Sequence, residues 1–472
     1  MQRKVIIWFR NDLRLHDNVT LAMAGGDSQL VYPVFCFDPR WFEINVIGLP
    51  KSGSVRTQFL IETVTDLREN IRALGSELII RVGTPEEVIP ELTKNLGAVA
   101  VYASKSDVPD ETEVETSLGN RLQELDVTFK LFSQSTLIHE SDLPWPVEHL
   151  PEVFTKFRKE VEKTSAIREV APFSNSLSLG LLEMDPGPLP TVEQLGLQPQ
   201  PMDLRSVLPF RGGESVAKAR LDHYFWEMDC LKEYKYTRNG MLGANYSSKF
   251  SPWLATGALS PRFVYSQIKA YETQRVKNSS TYWLKFELLW RDYFKFILKK
   301  YGNRLLGATG VKGRKIQFKD DQVLFEKWVQ GQTGIPFIDA NMRELQATGF
   351  MSNRGRQNVA SFLVNDLKVN WTWGASYFES KLIDYDLAIN WGNWNYLAGV
   401  GNDPRENRYF NIINQALRYD SQGDYVRHWI PELAQIMGKA VHYPNRLESQ
   451  KFPGGTLSTK YPEPLVDFSK WI

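Results

Sequence analysis

Cysteine is scarce in this chain, and histidine hardly less so. The 472 residues hold only Cys36 and Cys230, which excludes a disulfide framework and any thiolate-rich metal centre. His16, His139, His149, His223, His428 and His442 stand apart, with no two at ligand spacing, so they read as structural and no metal site is expected. No apolar run approaches the ~18 residues of a membrane span. The opening "MQRK" leads directly into the strand-like "VIIWF", so the expected location is cytoplasmic. Net charge is lacking as well: 56 basic against 55 acidic residues give +1. A field that weak draws in no nucleic acid, and any such binding needs a local patch. No G-x-G-x-x-G follows a strand, which removes the usual dinucleotide fingerprint, and no internal repeat is evident.

What the chain does have is length and rings. It exceeds the size at which one hydrophobic core keeps growing, so two or more domains are expected. Residues 1–138 alternate "KVIIWF", "LVYPVFCF", "ELIIRVG", "AVAVYAS" and "FKLFSQSTLI" with a helical period through Phe59, Leu60, Val64, Leu67, Ile71 and Leu74. That pattern predicts an α/β domain on a parallel, Rossmann-like sheet. Residues 139–204, rich in Pro, Ser and Leu, read as a connector laid over the surface. From 205 to 472 the periods are helical, as in "TYWLKFELLWRDYFKFILKKY" and "GRQNVASFLVNDL", which predicts an all-α domain. Of the 14 tryptophans only Trp8, Trp41 and Trp145 precede residue 200. Whatever the rings do, they do it in the second half.

In "NYSSKFSPWLATGALSP", Ser247, Ser248, Lys249 and Ser251 precede a helix start. Hydroxyls, an ammonium and free backbone N–H groups there suit a phosphate, although a plain N-cap draws on the same residue types. Asp384 and Asp386 of "IDYDLAINWGNWNY" diverge on a helix, which points to a bent segment where both meet one ligand, or else to a solvated turn. Asn390 and Trp394, four apart, offer an amide to a heterocycle edge and an oxidisable ring; core packing is the alternative for the indole. "FELLWRDYF" sets Glu287, Trp290 and Arg291 on one amphipathic helix, with a surface Glu287–Arg291 pair as the plain alternative. "MSNRGRQNVASF" supplies Asn353, Arg354, Arg356 and Gln357. Lys232, Lys235, Arg238, Lys312, Arg314 and Lys315, with Tyr234 and Tyr236 among them, form a solvated face or a nucleic-acid groove.

Taken together with "WFRNDLRLHDN" and "GQTGIPFIDANMRELQATGF", these segments resemble the photolyase/cryptochrome family, in family order and over nearly the whole chain. "FELLWRDYF", "MSNRGRQN" and "GVGNDPRENRYFN" are most similar to its cryptochrome DASH branch. The resemblance implies a photolyase-like fold with a U-shaped FAD in the helical domain. Ser247, Ser248, Lys249, Phe250 and Ser251 would lie at its phosphates, and Tyr234 would help close the site. Arg356 would pair with Asp384 beside the flavin, Asp384 and Asp386 would anchor the cofactor, and Asn390 would face flavin N5. Trp394 and Trp371 match the first two members of the family's electron path. The third position is Phe318, which leaves Trp373, Trp328 or a tyrosine for the outer step.

The resemblance further implies repair of cyclobutane pyrimidine dimers, chiefly in single-stranded DNA, by an electron from light-excited reduced FAD. Glu287, Trp290, Asn353 and Gln357 would line the lesion pocket, and Tyr396 stands where many duplex-acting photolyases carry tryptophan. The N-terminal domain of this branch holds a 5,10-methenyltetrahydrofolate antenna, whose glutamate contact is here Asp107. Family members are typically monomers. The alternative reading is a blue-light receptor that signals, or binds DNA or RNA, without efficient repair. Signalling members usually carry a long tail, and the short stretch after the last helical segment favours the enzyme.

Overall fold

In the computed structural model, residues 3–25, 30–172, 178–180, 184–405, 408–444, 461–467 and 469–471 are described. Strand β1 (Lys4–Phe9) is buried at every position from Val5 to Phe9. An unbroken apolar run of this kind needs cover on both faces of its sheet. It lies at the centre of a parallel sheet of order β3-β2-β1-β4-β5, with β2 (Leu30–Phe37), β3 (Ile79–Val82), β4 (Ala100–Ser104) and β5 (Thr128–Phe132). The short β6 (Ser178–Leu179) pairs with β2.

Helices α1 (Val19–Gly25), α2 (Ser54–Ala73), α3 (Pro85–Leu96) and α4 (Pro109–Glu124) supply the cover. Alternate strand residues pack on opposite sides, Val5, Ile7 and Phe35 with Val64, Leu67 and Ile71 of α2, and Ile6, Val34 and Val101 with Ile89, Leu92 and Leu118 of α3 and α4. The strand order reverses at β1, which opens a crevice at the carboxyl ends of β1 and β4. This is the α/β domain that the sequence predicts.

The connector is more than a surface wrap. It forms α5 (Phe154–Thr164), whose Phe154, Phe157 and Val161 sink, with Leu137, Ile138, Val147 and Leu150, into the core of the helical domain. Beyond it follow α6 (Glu214–Asp222), α7 (Tyr234–Thr237), α8 (Ser251–Thr256), α9 (Pro261–Gln274), α10 (Ser279–Tyr301) and α11 (Gln322–Val329). Then come α12 (Pro336–Thr348), α13 (Asn353–Ser361), α14 (Trp371–Lys381), α15 (Leu387–Leu397), α16 (Ile412–Tyr419) and α17 (Asp424–Trp429). Two helices run on into π turns, α6 at His223–Glu227 and α13 at Phe362–Leu367. Such turns concentrate near functional sites. Among the described residues no helix is long and apolar enough to cross a membrane.

Buried polar pairs lock the two domains together. Asp17 accepts from Arg262 Nη2 at 2.6 Å and from the Ala171 N–H at 2.8 Å, and Arg14 Nη1 donates to the Gly257 carbonyl at 2.7 Å. Gly257, at φ 70°, comes so close that a Cβ there would sit 1.9 Å from the Asn11 carbonyl oxygen. The cleft between the domains therefore has fixed walls.

Candidate active site

Helix α13 organises the interior. Ser352 caps it by accepting from the Gly355 N–H at 3.0 Å, and a Cβ on Gly355 would lie 1.9 Å from Asn341 Oδ1, so only glycine lets α12 approach. One turn in, Arg356 donates through Nε to the Met351 carbonyl at 2.9 Å and through Nη2 to Asp384 Oδ2 at 2.8 Å. The other oxygen, Asp384 Oδ1, is buried and has no hydrogen-bond partner among the described residues.

Lys249 faces the same interior. Its backbone is left-handed at φ 56°, and its ammonium, on a side chain only 4% exposed, lies 3.1 Å from the centre of the Tyr246 ring and 5.6 Å from that of Phe350. Neither Lys249 Nζ nor the Tyr246 hydroxyl finds a partner among the described residues. Burial without a paired acid holds the Lys249 ammonium well below its ordinary range. The nearest acid, Glu344, already accepts from the Tyr425 hydroxyl at 2.6 Å, and burial pushes its carboxyl up to about 7.

The loop before α8 is shaped by Arg220, which the sequence reading passed over. Its guanidinium donates to the carbonyls of Ala244 (3.0 Å), Ser247 (3.1 Å) and Ser248 (3.1 Å), spending the acceptors and leaving hydroxyls and N–H groups as donors. No serine caps α8; its N-cap is Phe250, without a side-chain hydrogen bond. An orphaned ammonium, free hydroxyls and a half-satisfied carboxylate beside a guanidinium form a donor set that fits FAD, the cations and N–H groups toward phosphates, Arg356 and Asp384 toward a heterocycle edge.

On α15, Asn390 Nδ2 donates to the Ala375 carbonyl at 3.0 Å, which fixes the amide. Trp394 is buried against Gly374, where a Cβ would fall 2.3 Å from the indole Cη2. Its ring packs 5.2 Å from Phe378 and 6.4 Å from Trp328. From Trp328 the rings continue to Phe325 (5.8 Å) and on to the half-buried Trp373 (5.5 Å). Trp371 packs with Trp391 at 5.8 Å and donates to the Ala308 carbonyl at 3.1 Å, while Phe318 is half-buried.

A second group of predicted residues gathers at the outer end of α13. Glu287 accepts from Trp283 Nε1 at 3.1 Å and pairs with Arg238 at 2.7 Å; burial nevertheless raises its carboxyl above the usual range. Tyr234 is buried close enough to feel the Glu287 charge. Trp290, stacked on Phe154 at 3.6 Å, meets Tyr396 edge to face at 5.9 Å and 87°. The Arg408 guanidinium lies 4.9 Å over Tyr396, and Arg354 lies 4.7 Å over Tyr419, within the field of Arg238, Arg408 and Arg418. Asn353 is exposed and Gln357, four residues on, is half-buried, its Oε1 without a partner among the described residues. Arg408 and Arg418 were missed in the sequence because neither sits in a basic run. Glu406 and Asn407, inside "GVGNDPRENRYFN", lie outside the described residues.

Asp386 goes elsewhere. It caps α15 by accepting from the Ile389 N–H at 3.3 Å and pairs with Lys295 at 2.9 Å on the wall of the interdomain cleft. Burial opposes its charge, but Lys295 and Arg291 outweigh that and hold the carboxyl below its ordinary value. The cleft, about 650 Å³, is lined at the strand ends by Arg10, Asp38 and Asp107 and opposite them by Lys295 and Tyr385. Asp107 reaches Lys299 at 3.3 Å.

Fold and site together define a two-domain flavoprotein of the photolyase type. Residues 5–175 match the family described as DNA photolyase, and residues 283–471 match the FAD binding domain of DNA photolyase. Cryptochrome DASH of Gloeobacter violaceus is 52% identical over 98% of this chain and 93% of its own. The crystal structure of a Synechocystis cryptochrome superposes with a TM-score of 0.95 at 48% identity, over 100% of this chain and 98% of that one. A class III photolyase of Agrobacterium tumefaciens superposes with a TM-score of 0.85 at 28% identity, covering 100% and 96%. The chain belongs to the photolyase/cryptochrome family, within its cryptochrome DASH branch.

Proposed function

We propose that this protein repairs cyclobutane pyrimidine dimers in single-stranded DNA under blue light. One observation carries the reading: α13 presents Arg354 to a cationic rim and, two residues on, Arg356 to the buried chamber, so a single helix borders both a nucleic-acid pocket and a cofactor site. When bound, FAD supplies the light absorption and the one-electron chemistry. Lys249 and the 247–251 segment hold its phosphates; Arg356, Asp384 and Asn390 orient its ring system.

Arg238, Arg354, Arg408 and Arg418 take the DNA backbone, which sets position rather than sequence. Trp290 and Tyr396 are two walls for the unstacked bases. Unstacking costs a few kcal/mol, least in single strands. Tyr396 offers less stacking area than an indole and offsets less of that cost, which favours an unpaired strand. The raised carboxyl of Glu287 retains a proton more readily than a surface glutamate and offers a hydrogen bond to the carbonyl oxygens of the dimer as they gain charge. Trp394 and Trp328 are adjoining oxidisable rings, and Phe325 separates Trp328 from the half-buried Trp373, the candidate for the outer step; Trp371 and Trp391 form a second, buried indole pair.

The cleft lined by Asp107 and Asp386 we assign to 5,10-methenyltetrahydrofolate, since it lies at the carboxyl ends of the strands and offers carboxylates to an amino-substituted ring. A dimer-containing oligonucleotide, single-stranded or duplex, is illuminated with the purified FAD-loaded protein. Light-dependent loss of the dimer from the single strand alone is expected. Binding in the light without repair would instead make the protein a receptor.

A further inference from the structure

Tyr396 and Arg408 reach the pocket from opposite ends of the segment joining α15 to α16, and the described part of that segment is held both by Asp403 within it and by residues remote in sequence. Asp403, 2% exposed, receives Arg408 Nη1 at 3.3 Å and Arg405 Nε at 3.2 Å. The end of α13 and its π turn hold the next residues: Asn365 Nδ2 donates to the Arg408 carbonyl at 3.4 Å, the Tyr409 hydroxyl to Asp366 at 3.2 Å, and the Phe410 N–H to Ser361 at 3.3 Å. Each of these is long for a hydrogen bond and weak alone.

The C-terminal strap supplies what they lack. Tyr461 donates to Asp339 at 2.5 Å and the Leu465 N–H to the Thr333 carbonyl at 2.9 Å, pinning the strap along the start of α12. Its described part reaches Trp471, 3% exposed, whose indole N–H donates to the Tyr409 hydroxyl and whose carbonyl accepts from Asn411 Nδ2 at 3.0 Å. The same ring rests 6.2 Å from Phe362 of the π turn. Tyr409 is thus bridged between Asp366 and Trp471, and Arg408 is its neighbour in the chain.

We propose that Trp471 is a positioning residue for nucleic-acid binding: through Tyr409 and Asn411 it holds Arg408 over the Tyr396 ring and so fixes that wall of the pocket. The inference rests on the reading of Trp290 and Tyr396 as walls for DNA. Without the Trp471 ring, Arg408 keeps its pairing to Asp403 and the long bonds through Asn365 and Ser361, but Tyr409 loses its Trp471 anchor, and the neighbouring Arg408 guanidinium samples positions off the tyrosine face.

Two measurements on the full-length, FAD-loaded protein test this. In hydrogen exchange without DNA, Trp471→Ala speeds exchange of the amides of residues 408–411 by at least about tenfold. Tyr409→Phe, which keeps the ring and loses only the bridging hydroxyl, gives a smaller rise and covers the case in which Trp471→Ala fails to fold. Exchange unchanged in both variants overturns the proposal whatever the DNA result. In the dark, Trp471→Ala weakens binding of a dimer-containing single strand about five- to tenfold. Arg408→Ala does the same, and Trp471→Ala added to Arg408→Ala changes affinity no more than about twofold, because both act on one contact. Losses that multiply overturn it, since they would make Trp471 a general support of the domain. If wild type binds no dimer-containing strand, the proposed function fails and the exchange result alone decides whether Trp471 holds Arg408.

Discussion

Replacing Lys249 by methionine should move the FAD-free and FAD-loaded proteins in opposite directions. Without the cofactor, the Lys249 ammonium is buried with no acceptor among the described residues, and burial holds it well below the ordinary 10.5. An ammonium buried without a paired acid costs several kcal/mol. Contact with the Tyr246 ring returns about 2 kcal/mol of that if the charge is kept. Methionine fills a similar volume without the penalty, so FAD-free Lys249→Met should be more stable by about 1–3 kcal/mol. That predicts a melting temperature raised by a few degrees.

With FAD present the sign reverses. A charge-assisted hydrogen bond to phosphate is worth about 1.5–3 kcal/mol, so the variant should bind FAD about 10- to 150-fold more weakly. Scanning calorimetry of the FAD-free protein and fluorescence titration with FAD read the two halves separately. A variant that is less stable without FAD yet binds it as wild type does would refute the reasoning, because Lys249 would then be serving the fold and not the phosphates.

Glu344→Gln should flatten part of the pH profile of stability. The folded carboxyl titrates at about 7 and the unfolded one at 4.5, so the folded state holds the extra proton and stability falls as pH rises from 4.5 to 7. The loss is about 3 kcal/mol, and urea midpoints of the FAD-free protein at pH 5 and pH 7.5 should differ less in the variant than in wild type. Trp394→Phe removes the indole against Gly374 and should slow light-driven flavin reduction at least about tenfold while leaving FAD content unchanged; transient absorption at wild-type rates would rule out the assignment. Asp386→Asn strands Lys295 in the cleft and should weaken methenyltetrahydrofolate binding about tenfold. Loss of FAD with folate binding intact would place Asp386 in the other site.

The strands and the long helices could be read directly, because each repeats one physical constraint many times. β1, β2 and β4 are apolar runs buried along nearly their whole length, and α10 repeats its apolar face over 23 residues. α5 was passed over although Phe154, Phe157 and Val161 keep helical spacing, since three positions amid proline-rich text are a weak period. The π turns were invisible: one extra residue in a turn leaves almost no trace in the pattern, yet the turn after α13 is what sets Asn365 and Asp366 against Arg408 and Tyr409. Arg220 carried no signal at all. Its partners lie 24 to 28 residues away and, apart from the Asn245 side chain, are backbone carbonyls, which any sequence can supply.

The acids at 384 and 386 show where sequence reasoning stops for a stated reason. Residue types point to one ligand at this segment; the structure turns its two carboxylates toward different cavities. Leu382 to Asp386 form a bent link between α14 and α15, and in such a link side chains two apart are free to point to different sides. Which side each takes is decided by cations on other helices. Arg356 of α13 draws Asp384 inward, and Lys295 of α10 draws Asp386 into the interdomain cleft. The segment is therefore a partition with one carboxylate on each face, and a substitution at either position reports on one cavity only. Motif resemblance finds such a wall, but its two faces become distinct only once the long-range pairing of α10 and α13 with it is known.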